Sequence, residues 1–127
     1  MIHDGILEEI RARLENKIQQ NLSGFQGLII KPAYNSMMPL HVQVSLLPQL
    51  YTLTFLRNGR VHLERHCMRQ SADLCIECDA NTFAFLCQNP DINLFNELER
   101  CQKIKIVSVT KKGKNAEKYI RRYLTGY

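Results

Sequence analysis

Apolar residues recur at helical spacing along the first part of the chain. A period of about 3.6 residues places such positions on one face of a helix. Asp4 is the predicted N-cap, because a short carboxylate accepts hydrogen bonds from the free N–H groups of a first turn. Ser23 and Gly24 are expected to end the helix. The sequence therefore predicts an amphipathic N-terminal helix, with a packing stripe made of Ile6, Leu7, Ile10, Leu14, Ile18 and Leu22.

The apolar segments that follow are shorter and typical of extended structure. Residues 28–30 are aliphatic and stand just before Pro32, which indicates a short β-prone segment. Residues 34–38 are predicted to form a loop. Residues 40–44 alternate between apolar and polar side chains, which is the pattern of a half-buried strand.

A hairpin gives the clearest local signal in the sequence. Residues 51–56 and 61–63 alternate on either side of Asn58-Gly59, two residues that tolerate positive φ. This arrangement predicts two strands joined by a two-residue type I′ turn. Residues 72–78 are predicted to add a third strand and complete a meander. One face of that strand would carry Ala72, Leu74, Ile76 and Cys78.

Two short helices, a strand and a final helix are predicted for the rest of the chain. Asp79 and Asp91 are the expected N-caps of the short helices, and Asn89-Pro90 separates them. Residues 103–109 form the predicted strand, and Lys112-Gly113 is the expected turn into the last helix. The apolar stripe of that helix comprises Ala116, Tyr119, Ile120, Tyr123 and Leu124.

These elements predict a single α+β domain spanning residues 1–127. We expect a largely antiparallel five-stranded sheet covered by short helices, with amphipathic helices at both ends. The C-terminal helix is expected to dock near Ile104 and Ile106 with its basic face outward. A helix of about 12 residues is marginal in water without a packing partner.

The composition is that of a globular domain. The 127 residues are 45% hydrophobic and 23% charged, which is enough for a core without metal or disulfide support. No apolar run approaches the roughly 18 residues of a membrane span. The five cysteines are an odd number, and the N-terminal residues lack the pattern of a secretory signal. Both features favour a reduced, cytoplasmic setting.

A zinc site is the first chemical function that the sequence suggests. His62, His66 and Cys67 precede Cys75 and Cys78, so possible ligands cluster along the chain. An odd separation of three residues on a strand places Cys75 and Cys78 on opposite faces, however. No metal site is therefore predicted, and the cysteines are interpreted as small apolar residues of the interior.

Catalytic motifs are absent from the sequence. No nucleophile elbow, phosphate-binding glycine loop or metalloprotease helix occurs. Asp73 and Glu77 would stand about 13 Å apart along a strand, too far for a carboxylate dyad, and are interpreted as solvent-facing charges. A Cys/His pair brought together by the fold stays open. No catalytic residue and no cofactor are predicted.

Basic residues are concentrated near the C-terminus, and the net charge is +5. Such a balance favours anionic partners, here a membrane surface or an acidic protein in preference to nucleic acid. A solvated face without a partner is the alternative. The residues predicted to form the anionic-partner surface are Lys114, Lys118, Arg121 and Arg122.

An ordered series of short motifs runs through residues 50–109. After the hairpin come Ala72-Asp73-Leu74-Cys75-Ile76, Asp79, Phe83, Leu86, Asn89-Pro90, Leu94-Phe95 and Lys103-Ile104-Lys105-Ile106. In this order and spacing, the series resembles the sterol carrier protein type-2 domain. The strand at residues 40–44 is similar to the bacterial branch that contains ubiquinone-biosynthesis accessory factors.

The resemblance implies a carrier or accessory protein, not an enzyme, that holds a hydrophobic ligand in an apolar tunnel between sheet and helices. A lipid, a sterol-like molecule or an isoprenoid quinone precursor would suit such a tunnel. The alternative is a packed core without a ligand, in a basic module that binds protein or nucleic acid. The predicted lining residues are Leu53, Phe55, Phe83, Leu86, Leu94, Phe95, Leu98 and Ile106.

Overall fold

Helices and strands follow one another largely in separate runs along the chain, as the predicted α+β class requires. The computed structural model describes residues 2–46, 49–65 and 72–126. Within those ranges, no helix is both long and apolar enough to cross a bilayer. The elements are α1 (Ile2–Leu22), α2 (Gly24–Ser36), β1 (Leu40–Leu46), β2 (Gln49–Phe55), β3 (Val61–Arg65), β4 (Leu74–Cys78), α3 (Ala80–Gln88), α4 (Ile92–Arg100), β5 (Ile104–Ser108) and α5 (Lys111–Thr125).

The five strands form one sheet in the order β3-β2-β1-β4-β5. All neighbouring pairs are antiparallel except β1 and β4, which run parallel with Val42 beside Leu74. The predicted largely antiparallel five-stranded sheet is confirmed. The predicted meander is wrong, because β4 pairs with β1 and not with β3. Alternation along a segment indicates a strand, but it holds no information about which neighbour that strand will choose.

The helices pack on one face of the sheet, and the core lies between the two layers. The strand residues of this core face include Leu40, Val42, Val44, Leu53, Phe55, Leu74, Ile76 and Ile104. The helices contribute Leu7, Ile10, Phe83, Leu86, Phe95, Ala116 and Leu124. The opposite face of the sheet carries mainly polar residues, among them His41, Gln43, Thr52, Thr54, Glu77 and Lys105.

Side-chain caps fix the starts of three helices. Asp79 accepts a hydrogen bond from the Thr82 N–H at 3.1 Å, which confirms the predicted cap of α3. Asp91 accepts from two N–H groups of α4 at 2.8 and 3.1 Å, as predicted. The last helix differs from expectation, because it begins at Lys111 behind a Thr110 cap and includes Gly113.

The region after α1 is helical where the sequence indicated extended structure. Residues 28–30 and most of residues 34–38 belong to α2, so the predictions of a β-prone segment and a loop are wrong. The aliphatic run resembles a strand locally, but Gly27 lets this helix pack tightly against α1. A Cβ at Gly27 would overlap the carbonyl group of Leu22. Tertiary packing has overridden local propensity here.

The two ends of α1 differ in how well the sequence predicted them. The helix begins at Ile2, so Asp4 lies inside its first turn and is not the N-cap. The predicted break at Ser23 and Gly24 is confirmed, since Gly24 has φ of 81°. A glycine tolerates this left-handed conformation, which lets the chain turn directly from α1 into α2.

The hairpin between β2 and β3 is present and slightly longer than predicted. Asn58 and Gly59 adopt φ of 63° and 81°, so the expected positive φ values are confirmed. The N–H of Leu56 donates to the Arg60 carbonyl at 2.7 Å. Three residues therefore separate the hydrogen-bonded strand ends, one more than in a two-residue type I′ turn.

Asp73 is buried and joins three parts of the chain. Its carboxylate accepts hydrogen bonds from the His41 N–H at 2.9 Å and the Thr110 hydroxyl at 2.8 Å. Its own N–H donates to the His41 carbonyl, and its carbonyl accepts from the Val109 N–H. The side chain is 8% exposed, so the interpretation of Asp73 as a solvent-facing charge is wrong. Glu77 is exposed, as expected.

The C-terminal helix docks as predicted. α5 packs on β5, α4 and α3, with Ala116 and Leu124 in the core. Lys114, Lys118 and Arg122 are exposed on its outer side. Tyr119 departs from the predicted stripe, because 55% of this residue is exposed.

Replacing Gly113 with alanine is expected to destabilise the domain by about 2–3 kcal/mol. A Cβ there would overlap the Asp73 carbonyl oxygen, so α5 must shift and strain the hydrogen bonds around Asp73. Urea denaturation measures the effect. Gly5→Ala in α1 is the matched control, because nothing lies within 4 Å of its added Cβ. An equal stability of the two variants would contradict the close approach at Gly113.

Truncating Leu124 to alanine should lower the free energy of unfolding by about 2–4 kcal/mol, the usual cost of a cavity left by a buried leucine. The residue is 1% exposed and belongs to the core cluster. Tyr119→Ala on the same helix is the control and should change stability little, since Tyr119 is largely in solvent. If both variants melted like the parent chain, α5 would not be a docked part of the core.

Candidate functional site

The eight predicted lining residues lie in or against one apolar cluster. Leu53 and Phe55 come from β2, Phe83 and Leu86 from α3, and Phe95 from α4; all five are buried in the cluster. The remaining three, Leu94, Leu98 and Ile106, are half-buried and pack against it from outside. The structure thus brings together residues that are spread over the sequence from β2 to β5.

The three half-buried residues mark a border between the core and solvent, which we term the α4–β5 seam (Leu94, Leu98 and Ile106). Asp91 caps α4 and so sets the direction in which the two leucines project. The N–H of Lys103 donates to the Leu98 carbonyl at 2.8 Å and closes the turn into β5. Gln102 adopts φ of 61° in this turn. Short connections therefore hold the seam at one edge of the sheet.

Arg121 connects α5 to the helix that carries the seam. Its guanidinium forms ion pairs with Glu99 of α4 and Glu117 of α5, both at 2.8 Å. It also lies 5.6 Å from the centre of the Phe95 ring. The pKa of Glu117 is lowered, first by the hydrogen bond that the Ser108 hydroxyl donates and then by Arg121. Arg121, predicted to belong to the anionic-partner surface, is thus half-buried and already paired with carboxylates of the protein itself.

The other three predicted surface cations point to solvent. Lys114, Lys118 and Arg122 are exposed on α5. Tyr119 lies between two of them, with Lys118 at 5.1 Å and Arg122 at 5.9 Å from its ring centre. An exposed aromatic ring flanked by two cations can contact an anionic or planar partner.

Among the described residues, two surface depressions stand out, and neither is lined by any of the eight predicted residues. The first has a volume of about 300 Å³ and the second about 250 Å³. Both have charged walls, which are unsuited to a purely apolar ligand. The first is lined by Glu8, Tyr51, Leu63 and Arg65, and the second by Glu77, Cys78, Asp79, Gln102 and Lys103.

Three of the four described cysteines, Cys75, Cys78 and Cys87, have environments that disfavour nucleophilic chemistry. Burial raises the pKa of Cys78 to about 11 and the pKa of Cys87 to about 12. Burial also raises the pKa of Cys75. These thiols stay protonated near neutral pH, whereas a Cys/His pair requires a thiolate.

The residues considered for zinc do not form a described metal site. Cys75 is half-buried on the polar face of the sheet, and Cys78 is buried on the core face, so their predicted separation is confirmed. His62 lies exposed on β3. His66 and Cys67 fall outside the described residues. In the part of the chain that is described, no three His, Cys, Asp or Glu side chains are grouped to hold a metal ion.

An exposed apolar surface on α2 was missed by the sequence analysis. Leu28, Ile29 and Ile30 project into solvent at 75%, 74% and 46% exposure. The signal was present, because α2 combines this aliphatic run with Lys31 and has no acidic residue. The run was predicted to be a short β-prone segment, and its exposure became visible only with the helix in place.

Comparison with solved structures shows that most of the chain shares its fold with a known protein. A structure described as "UbiJ-SCP2 Ubiquinone synthesis protein" matches with a TM-score of 0.53 and 14% identity. The match covers 93% of this chain and 90% of that one. At this identity the likeness concerns the fold. It confirms the fold that the sequence motifs indicated.

Two sec-alkylsulfatase structures match less well. The stereoselective inverting sec-alkylsulfatase Pisa1 from Pseudomonas sp. gives a TM-score of 0.48 and 16% identity over 67% of this chain. A double mutant of the sec-alkyl sulfatase PisA1 gives 0.46 and 20% identity over 57%. This chain spans only 12% and 11% of those proteins.

Comparisons at the level of sequence find no relative. No protein-family model matches the chain, and no curated protein matches it either. The likeness to the ubiquinone synthesis protein therefore depends on three-dimensional arrangement. The chain has the fold of a sterol carrier protein type-2-like domain, shared with the UbiJ-SCP2 protein over nearly its full length.

Proposed function

We propose that this protein is a non-enzymatic carrier or accessory protein that binds a hydrophobic ligand between its sheet and its helices. The ligand class is a lipid, a sterol-like molecule or an isoprenoid quinone precursor. The fold shared with a protein described by its role in ubiquinone synthesis is the observation that carries this proposal. The arrangement of apolar side chains around the core supports it.

The α4–β5 seam supports a route for the ligand. Leu94, Leu98 and Ile106 are half-buried and lead directly into the cluster that contains Phe95, Phe83 and Leu86. In this proposal, a ligand enters by parting α4 from β5, and its apolar chain replaces contacts between core side chains. Each methylene buried there would contribute roughly 0.8 kcal/mol.

The chemistry of the interior suits an apolar ligand. The buried polar or charged residues of the described chain are Thr52, Thr54 and Asp73. The two threonines lie on the sheet face away from the helices, and Asp73 is fully engaged at the start of β4. A ligand between the layers would therefore meet apolar side chains and protonated thiols. These groups favour binding and provide no acid, base or nucleophile for a reaction.

Leu98→Trp should weaken the affinity for the ligand roughly tenfold, which corresponds to about 1.4 kcal/mol of binding free energy. The larger ring would occupy the seam through which the ligand is proposed to pass. Titration with a fluorescent fatty acid or quinone analogue measures the affinity, and thermal melting monitors the fold. Ile92→Trp is the matched control on α4, because Ile92 is exposed and outside the predicted lining.

Two results would count against this site. Equal affinities of the parent, Leu98→Trp and Ile92→Trp chains would place the ligand elsewhere. No uptake by the parent chain of either probe would remove the carrier proposal altogether.

A basic interaction module is the second candidate function. The exposed Tyr119 between Lys118 and Arg122 is the observation that favours it. The partner would be an acidic protein surface or, less favoured, nucleic acid. Arg121 does not belong to this surface in the proposal, since its charge is already paired with Glu99 and Glu117.

Charge reversal separates the two candidate functions. Lys118→Glu with Arg122→Glu should lower the salt concentration needed to elute the protein from a heparin column, because two exposed cations are replaced by anions. Uptake of the fluorescent ligand should stay unchanged. Lys103→Glu with Lys105→Glu alters the net charge equally at a different surface and should shift elution less. Equal shifts for both pairs would show that no local surface on α5 is involved.

A further inference from the structure

The described structure leaves an apolar surface of α2 uncovered, which we term the α2 ridge (Leu28, Ile29 and Ile30). Two of its residues are about three-quarters exposed. Within the described chain, α2 packs mainly on α1 and on the turn at residues 57–59. Three adjacent aliphatic side chains in solvent are unfavourable, and such a surface marks a site of interaction.

The shape of the α2 ridge favours a partner that surrounds it. Successive residues of an α-helix are separated by about 100°, so three in a row cover more than half of the circumference. Among the described side chains of α2, those that face the protein lie on the remaining side, which includes Gly27. A flat protein partner would cover one flank of this ridge and leave the other in water. The interfacial region of a bilayer would surround both flanks at once.

The charges around the ridge favour an anionic surface. α2 has no acidic residue, and Lys31 follows the ridge directly. Beyond the ridge, at the C-terminal end of α2, the turn that contacts Asn35 adds the exposed cations Arg57 and Arg60. Aliphatic side chains beside exposed cations match the acyl boundary and the headgroups of a bilayer that contains anionic lipids.

The ridge is also held firmly by the rest of the domain. Asn35 of α2 accepts a hydrogen bond from the Asn58 N–H at 3.0 Å, and the two side chains contact each other at 3.4 Å. At the other end, Gly27 packs against Leu22 of α1. Both anchors lie away from the three exposed side chains. The ridge can therefore insert without any rearrangement of the core.

We propose that α2 docks this protein on the surface of a bilayer containing anionic lipids, with Leu28, Ile29 and Ile30 inserted at the acyl boundary. Lys31, Arg57 and Arg60 stay among the headgroups. Docking itself requires no bound ligand. The further claim, that the docked protein takes its ligand from the bilayer or releases it there, rests on the proposed function.

Vesicle flotation of the full chain tests this proposal. The protein should float with phosphatidylcholine vesicles that contain phosphatidylglycerol and much less with phosphatidylcholine alone. Ile29→Glu should reduce the floated fraction about tenfold, because a carboxylate cannot enter the acyl boundary. Val109→Glu is the matched control, since Val109 is a 61% exposed aliphatic residue far along the chain. It should float like the parent protein.

Several outcomes would overturn the docking proposal. The first is that Ile29→Glu floats as well as the parent protein. The second is that Ile29→Glu and Val109→Glu reduce the floated fraction equally. The third is that the parent protein floats equally well with vesicles that lack phosphatidylglycerol. If sedimentation velocity showed that the parent protein is a dimer and Ile29→Glu a monomer, the ridge would instead bind a second copy of this chain. Uptake of a fluorescent fatty acid from solution is measured on the same samples and should be unaffected by Ile29→Glu. If the parent chain floated with the vesicles but took up no fluorescent fatty acid, the carrier function would be contradicted and the docking proposal would stand.

Discussion

The buried carboxylate of Asp73 is the interaction on which the arrangement of the sheet depends. Backbone and side chain of Asp73 both bind His41 at the start of β1, and this sets the parallel register that places Val42 beside Leu74. The same residue holds Thr110 and Val109 where β5 ends and α5 begins. A buried charge is tolerated only when hydrogen bonds replace its hydration, and here those bonds join segments far apart in sequence.

The placement of the candidate surfaces follows from this junction. Because Asp73 fixes the exit of β5, α5 returns over the sheet and buries Ala116 and Leu124, while Arg121 reaches Glu99 of α4. The turn into β5 and half-buried aliphatic side chains border the α4–β5 seam, and the Arg121–Glu99 ion pair holds α4 against α5. The α2 ridge lies outside this network and is supported by α1 and the hairpin turn. The domain thus keeps the proposed ligand-binding interior apart from the proposed docking surface.

Local patterns predicted the elements that depend on local chemistry. The caps at Asp79 and Asp91 and the positive φ of Asn58 and Gly59 follow from short-range hydrogen bonding and backbone sterics. The pairing of β4 with β1 and the burial of Asp73 depend on distant residues, so periodicity could not predict them. α2 was missed because residues 28–30 have the composition of a strand. The predicted tunnel rested on the resemblance alone, since the side-chain volumes in a sequence do not determine the space left between them.

Native mass spectrometry of freshly purified protein tests the central claim, ligand binding in the apolar interior, most directly. A fraction of the protein molecules should carry an excess mass. Organic extraction should remove this mass, and addition of a quinone or fatty-acid analogue should restore it. Leu98→Trp should carry less of this excess mass than Ile92→Trp. A spectrum showing only the mass of the bare chain, before and after addition of either analogue, would contradict the account.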